Sequence, residues 1–377
     1  MLRRKRDGRV FTVMLLSALL LLLSTAAPQL AQEEEQQQKQ QEQQPPLRRM
    51  RRVRGDQPKA PALPSNDQAP AGEDDDVVRV DTDLATVLLT AIDKDRRFVT
   101  TLKREDVRVV EDNVPQELSV FERETELPLT LAILIDTSRS QERTLPDEKL
   151  AARAFIDSVL RPDRDRAAII SFTGEAVLQQ DLTNDLGKLR GAVEQVVIEF
   201  PMGSPECEGN VTPERELRCY TGVWDAAWVT VNDVLSQTPA QSRRAIILLT
   251  DGKDSSSMTK RQEAIDFAVK HNVVIYSVGI GDGEYEGVAD DALKKISEKT
   301  GGRAFFPENR QELDAAFAQI QQELRSQYLL AYKPANTKRD GSFRQVRVEI
   351  INPELRKQKL QLLYRRGYYA RSAPRPK

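Results

Sequence analysis

Unbroken apolar runs alternate with amphipathic stretches along the chain between residues 129 and 327. Runs rich in leucine and β-branched residues are typical of strands that are buried on both faces of a sheet. The predicted strands are 129–135, 167–172, 245–250, 273–279 and 303–306, with a shorter edge strand near 176–179. The predicted helices are 147–160, 185–197, 221–235, 260–271, 290–300 and 311–327. This alternation predicts an α/β domain over residues 128–327 with a doubly wound, mostly parallel, Rossmann-like sheet.

Shorter runs with strand-like alternation flank this domain on both sides. Those before it are 77–80, 86–92, 107–110 and 118–121, and those after it are 328–332, 344–351 and 360–364. Turn residues separate them, including the pair Asp340-Gly341 of a predicted hairpin. A few strands alone are only marginally stable. We therefore predict that residues 77–125 and 328–370 join into one small β-sandwich with the α/β domain inserted between them.

The first 76 residues read as an export signal followed by a linker. Residues 1–31 combine a basic start, an apolar segment at 10–23 and the small residues 24–27, which is the layout of a cleaved signal peptide. We expect cleavage and a periplasmic or secreted protein without a transmembrane segment; an uncleaved membrane anchor over 10–27 is the alternative. Residues 32–76 are rich in charged residues, Gln, Pro and Ala, and predict a disordered low-complexity linker.

Composition narrows the chemistry that the chain can perform. The 377 residues carry a net charge of −2, so the overall charge gives no indication that the protein binds nucleic acid. A single histidine and two cysteines exclude a zinc cluster of the Cys/His type. Cys207 and Cys219 bracket a polar insertion, and in an exported protein we expect them to form a disulfide; two reduced, buried thiols are the alternative.

The strongest chemical signal follows the first buried strand. The run 129–135 ends abruptly at Asp136-Thr137-Ser138-Arg139-Ser140, which places one carboxylate and two hydroxyls at alternate positions. In an α/β sheet, ligands usually bind at the carboxyl ends of the strands. Hard oxygen donors at this place suggest a small divalent cation, magnesium above all, although Asp and Ser before a helix are also ordinary caps.

Two later stretches favour the metal interpretation. A second buried strand ends at Thr250-Asp251-Gly252, and Thr221 opens a predicted helix with a hydroxyl. The order Asp-x-Ser-x-Ser, Thr and Thr-Asp-Gly resembles the metal-ion-dependent adhesion site of von Willebrand factor type A domains. On this resemblance, which extends over residues 129–327, the five ligand positions are Asp136, Ser138, Ser140, Thr221 and Asp251.

The flanking segments are similar to a bacterial secreted family called VWFA-related, known mainly from Acidobacteria. The similar segments are 103–113, 323–332 and the ending Arg365-Arg366-Gly367-Tyr368-Tyr369. Two positions depart from the type A pattern, since Arg139 stands where the family usually has glycine and Cys219-Tyr220 where it has glycine-rich sequence. An arginine beside the site either steers an acidic ligand inward or points to solvent.

The resemblance implies an exported, non-catalytic, adhesion-type module that binds a protein partner. Its metal would be Mg²⁺, with Mn²⁺ or Ca²⁺ as alternatives, and an Asp or Glu of the partner would complete the coordination. One competing hypothesis is a magnesium-dependent hydrolase or phosphatase with Asp136 as nucleophile. Against it, Ser138 stands where aspartyl phosphatases of the haloacid type need a second carboxylate, and no lysine or histidine is obviously positioned as acid or base. The other is a structural envelope protein whose metal only stabilises the fold.

Overall fold

The computed structural model describes residues 50–52, 84–123, 127–199, 221–239, 242–281 and 288–372. The predicted signal peptide, most of the predicted linker, the predicted strand 77–80 and both cysteines, Cys207 and Cys219, lie outside the described residues. Within these ranges no helix is long and apolar enough to cross a membrane.

A seven-stranded sheet forms the centre of the larger fold. In spatial order its strands are β1 (Arg51–Arg52), β8 (Ala176–Thr183), β7 (Arg166–Phe172), β6 (Leu129–Asp136), β9 (Arg243–Thr250), β10 (Val273–Gly279) and β11 (Ala304–Phe305). Neighbouring strands are parallel, except that β7 and β8 pair in antiparallel fashion. All eight residues of β6 and all eight of β9 are buried, which explains the apolar runs 131–135 and 245–249 within them.

Helices cover both faces of this sheet. One face carries α1 (Leu145–Val159), α2 (Leu186–Gln195) and α6 (Arg310–Arg325). The other carries α3 (Val223–Thr230), which continues as a π-helical turn at Val231–Leu235, then α4 (Arg261–Lys270) and α5 (Asp290–Thr300). Side chains of β6 alternate between the two cores, since Leu131 and Ile133 belong to the first and Ala132 and Leu134 to the second.

Two antiparallel four-stranded sheets share a third core and form the β-sandwich. One contains, in order, β14 (Gln361–Leu363), β2 (Ala85–Ile92), β12 (Tyr328–Tyr332) and β5 (Leu118–Arg123), and the other contains β15 (Gly367–Tyr369), β13 (Phe343–Ile350), β3 (Val107–Glu111) and β4 (Val114–Gln116). Each sheet combines strands that precede the α/β domain with strands that follow it. The predicted fold class, a mostly parallel α/β sheet flanked by a sandwich of N- and C-terminal strands, is confirmed.

The sandwich joins the central sheet at the amino ends of the parallel strands. The backbone N–H of Arg243 donates to the carbonyl of Pro128 at 2.9 Å, directly before β6 begins. Its guanidinium donates to the carbonyls of Leu324, at the end of α6, and of Leu127. The carboxyl ends of the same strands therefore lie at the edge of the sheet that is remote from the sandwich.

The structure departs from the sequence-based expectation at short elements. Within the stretch predicted as a disordered linker, Arg51–Arg52 forms β1 and pairs in parallel with β8. Three contacts fix this segment: Met50 packs on the second core, its N–H donates to Asp233 at 3.0 Å, and Arg52 pairs with Asp181 at 2.7 Å. These contacts are long-range, so the local composition gives no sign of them. The strands β4 and β15 and the short helix α7 (Pro353–Lys357) were also not predicted.

Candidate metal site

The predicted ligands come from loops at the carboxyl edge of the central sheet. The strands β7, β6 and β9 are neighbours in the sheet and run parallel to one another. Asp136 is the last residue of β6, and Asp251 directly follows β9. Parallel strands end at the same edge, so the fold brings these two carboxylates together from positions more than a hundred residues apart in the chain.

Asp136 is fully buried and is held by two neutral donors. The hydroxyl of Thr250 donates to its Oδ2 at 2.5 Å, and the backbone N–H of Ser138 donates to its Oδ1 at 2.9 Å. Burial raises the pKa of Asp136 to about 7, and the charge of Asp251 acts in the same direction, while the hydrogen bonds from Thr250 and Ser138 oppose it. Without a cation, the negative charge at this position is therefore poorly stabilised.

The two predicted serine ligands lie at a 3₁₀ turn, Arg139–Gln141, which Ser138 precedes and which contains Ser140. The hydroxyl oxygens of Ser138 and Ser140 are 3.0 Å apart, and Ser140 is exposed. The turn is anchored by Gln141, whose fully buried amide donates to the carbonyl of Ile280 at 3.2 Å. Arg139 is exposed.

Asp251 and Thr221 are joined through the loop that follows β9. Asp251 is 3% exposed, and its Oδ1 accepts the N–H of Lys253 at 3.0 Å. The carbonyl of Thr221 accepts the N–H groups of Ser255 and Ser256 at 2.9 and 3.1 Å. Thr221 is thus fixed at the same edge of the sheet, but its hydroxyl makes no hydrogen bond to another predicted ligand among the described residues.

The same loop caps the helix that Thr221 precedes. Asp254 accepts the N–H of Val223 at 2.9 Å, and Ser257 accepts the N–H of Trp224 at 3.0 Å. These bonds satisfy amide groups that the first turn of α3 leaves without a partner. Since Thr221 and Asp251 belong to the two segments that these bonds connect, Asp254 positions one predicted ligand relative to the other.

Glu148 is a third buried carboxylate near this edge, and it was not predicted. It is fully buried on α1, and neither carboxylate oxygen has a hydrogen-bond partner. Burial raises its pKa to about 8; the charges of Asp136 and Asp251 add to this effect, and the neighbouring Thr144 opposes it. The sequence does carry a signal, since Glu148 lies three residues after Leu145 and three before Ala151, on the apolar face of the helix.

The donor set fits a small divalent cation. Asp136, Asp251 and Glu148 are all buried, and none of them forms an ion pair with a lysine or arginine among the described residues. In the same residues, no three carboxylate, imidazole or thiolate groups converge closely enough to hold a metal by themselves. Hydroxyl oxygens would have to complete the coordination, and those of Ser138 and Ser140 lie in the loop that follows Asp136.

The only histidine of the chain lies away from this site. His271 follows α4 and precedes β10, at the amino ends of the strands, and its Nδ1 lies 2.9 Å from the carbonyl oxygen of Phe267. Its ring packs against that of Phe267, with 4.3 Å between the ring centroids. A catalytic pair between His271 and Asp136 is therefore excluded by their placement at opposite edges of the sheet.

One family model matches part of the chain. Residues 221–320 match the family model of the von Willebrand factor type A domain. No curated protein matches the chain. Similar solved structures include the conserved hypothetical protein BatB from Bacteroides thetaiotaomicron, at 18% identity and a TM-score of 0.40, covering 52% of this chain and 99% of that one.

Two further structures are similar over a larger share of this chain. Proximal thread matrix protein 1 from the mussel byssus, described with a zinc-occupied MIDAS motif, is 18% identical with a TM-score of 0.44, over 57% of this chain and 50% of that one. A von Willebrand factor type A protein from Catenulispora acidiphila is 15% identical with a TM-score of 0.43, over 78% of this chain and 74% of that one.

Proposed function

We propose that this chain, which carries a von Willebrand factor type A domain, is an exported, non-catalytic module that binds a protein partner through a divalent cation. The observation that carries the proposal is that Asp136 is buried, hydrogen-bonded only to neutral donors, and has a raised pKa. Two adjacent serine hydroxyls lie beside it. A buried carboxylate without a cationic partner is costly in the folded state, and a bound cation removes that cost.

The ligands in this proposal are Asp136, Ser138, Ser140, Thr221 and Asp251, and the metal is Mg²⁺, with Mn²⁺ or Ca²⁺ as alternatives. The cation supplies a coordination position that an oxygen of a partner's Asp or Glu can take. Asp136 and Asp251 would balance the two charges of the cation, and the hydroxyls add none. Thr250 and the N–H of Ser138 fix the orientation of Asp136, so that the carboxylate is held in place before the metal arrives.

The proposal includes the location of the protein and the state of its cysteines. The basic and apolar segments of residues 1–31 support export to the periplasm or the exterior. In that compartment Cys207 and Cys219 would form a disulfide that closes a loop directly before Thr221.

A selection experiment tests the partner chemistry and does not require that the natural partner be identified first. The full mature chain is immobilised with Mg²⁺, a random peptide library is applied, and bound peptides are released with EDTA. We expect the released peptides to share an Asp or Glu whose replacement by Asn or Gln abolishes binding. They should also fail to bind the Asp136→Asn variant and should bind the Asp147→Asn variant normally, because Asp147 is exposed on α1 and pairs with Arg310.

Two outcomes would contradict the proposal. Peptides that bind equally well in EDTA would show that recognition does not involve a metal. Metal-dependent peptides without a required acidic residue would show that the partner does not complete the coordination.

A further inference from the structure

A basic cavity lies where the sandwich meets the α/β domain, at the edge of the central sheet opposite to Asp136. It has a volume of about 390 Å³, within the range of small-molecule sites. Six cationic side chains line it: Lys270, Lys333, Lys338, Arg339, Arg365 and Arg371. No aspartate or glutamate contributes to the lining among the described residues.

Both folds build this cavity. Val269, Lys270 and Asn272 come from the end of α4 and the residue pair that follows it. Residues 84–86, 333–339 and 365–371 come from the sandwich, and the last of these ranges contains the Arg-Arg-Gly-Tyr-Tyr ending. The cavity is therefore a product of the way the two folds join, and neither fold would form it alone.

Arg365 lies in the wall of the cavity, and its guanidinium donates hydrogen bonds only to neutral groups. Its Nη2 donates to the carbonyl of Thr86 at 2.7 Å, and its Nη1 donates to the carbonyl of Val269 at 3.3 Å and to the side chain of Asn272. Burial lowers its pKa to about 10, and its charge interactions are with Tyr332 and Tyr368 rather than with a carboxylate. Arg365 therefore stays charged at neutral pH without an anionic partner.

The two tyrosines that line the cavity interact with carboxylates. Tyr368 donates to the buried Glu111 at 2.9 Å. Burial raises the pKa of Tyr369 to about 12, and a hydrogen bond to Asp266 acts in the same direction. The two tyrosines that line the cavity thus use their hydroxyl groups on these carboxylates.

A structural role explains why an arginine occupies position 365, but it does not explain why lysines lie around it. Arg365 joins the last turn of α4 to β2, which is a sufficient reason for an arginine there. Lys270, Lys333 and Lys338 are exposed at the rim, and none of them forms an ion pair in the described part of the chain. Like charges gathered without counter-charges repel one another, so their position next to Arg365 favours an anionic ligand.

We propose that this cavity binds a phosphate-bearing ligand of small-molecule size. Three flexible lysines can approach an anion from several directions, and Arg365 adds a positive charge that its carbonyl partners hold in place. This arrangement suits the tetrahedral oxygens and multiple charges of phosphate better than a planar carboxylate. The site is independent of the metal site, since the two lie at opposite edges of the central sheet.

Calorimetric titration of the full mature chain with pyrophosphate tests this proposal. The titration contains EDTA to remove divalent cations, and its salt concentration of about 20 mM limits the screening of charge. We expect saturable binding that the double variant Lys333→Ala/Lys338→Ala weakens by about tenfold or more, because two charges near the anion are removed. The matched control Lys94→Ala/Lys188→Ala removes two exposed charges, one beyond the end of β2 that is remote from residues 84–86 and one on α2 at the other face of the central sheet, and should leave the affinity unchanged.

Two further ligands test whether the cavity prefers phosphate and whether that phosphate belongs to a lipid. Citrate of similar charge should bind more weakly than pyrophosphate, and equal affinity would overturn the preference for phosphate. Binding to vesicles of phosphatidylglycerol, compared with vesicles of phosphatidylcholine, tests whether the phosphate belongs to a lipid headgroup. If the chain binds the phosphatidylglycerol vesicles and Lys333→Ala/Lys338→Ala abolishes this binding, the ligand is a lipid headgroup. Absence of saturable pyrophosphate binding, or equal loss in both double variants, would overturn the proposal.

Discussion

Replacing Glu148 by glutamine should flatten the pH dependence of stability and weaken the binding of divalent cations. Burial raises the pKa of Glu148 from 4.5 to about 8. Between these two values the folded chain binds a proton that the unfolded chain has lost, so the free energy of unfolding falls as the pH rises. The loss is about 1.4 kcal/mol per pH unit, which amounts to about 3 kcal/mol between pH 4.5 and pH 7.

Glutamine has nearly the same shape and does not titrate, so it removes this contribution. Urea denaturation of the full mature chain in EDTA, at about pH 5, 6, 7 and 8, measures the slope directly. The Glu148→Gln variant should lose stability less steeply by about 1 kcal/mol per pH unit. At and above about pH 8, where Glu148 ionises, the variant should also bind Mg²⁺ several-fold more weakly, because a negative charge near the site is gone.

The matched control is Glu323→Gln on α6. Glu323 is also buried, and burial raises its pKa to about 7, although Arg303 lies 3.7 Å away and opposes the shift. Its replacement should flatten the slope in the same manner without changing the affinity for Mg²⁺. An unaltered slope in Glu148→Gln would refute the reasoning about burial, and an equal loss of Mg²⁺ affinity in both variants would refute the link to the metal site.

Three substitutions test the supports of the site and of the sandwich by chemical denaturation. Gly252→Ala should cost about 1–3 kcal/mol, because Gly252 has a φ of +77° and an added Cβ would lie 2.8 Å from Leu293; a neutral result would mean that the loop relaxes freely. Asp254→Ala should cost about 1 kcal/mol by removing the cap of α3, and unchanged stability would show that water replaces it. Tyr328→Phe should cost about 1–3 kcal/mol, because the buried N–H of Leu102 donates to its hydroxyl at 2.9 Å; no loss would place water at that amide.

The parts of the fold that the sequence predicts well are those fixed by local patterns. The centres of β6 and β9 are continuous apolar runs because both faces of these strands are buried. The helix predicted over 290–300 has the same bounds in the structure, since Asp290 and Asp291 open it and Gly301, with a φ of +97°, ends it. The loops that carry Asp136 and Asp251 follow directly from these strands.

The features that sequence reasoning missed depend on contacts between distant residues. β1 exists because Met50 and Arg52 find partners more than a hundred residues away. The environment of Glu148 depends on α1 packing beneath the ends of β6 and β9. Only its position on the apolar face of the helix can be predicted from the sequence. The basic cavity arises only when the sandwich and the end of α4 meet, and no local pattern describes that junction.

The most direct test of the account is a titration of the full mature chain with Mn²⁺, followed by electron paramagnetic resonance. The wild-type chain should bind a single ion whose affinity rises with pH, because protons compete for Asp136. Asp136→Asn and Asp251→Asn should abolish binding, while Asp147→Asn should retain it. Tight binding that survives both ligand variants, or no binding by the wild-type chain at millimolar Mn²⁺, would contradict the metal site on which the proposed function rests.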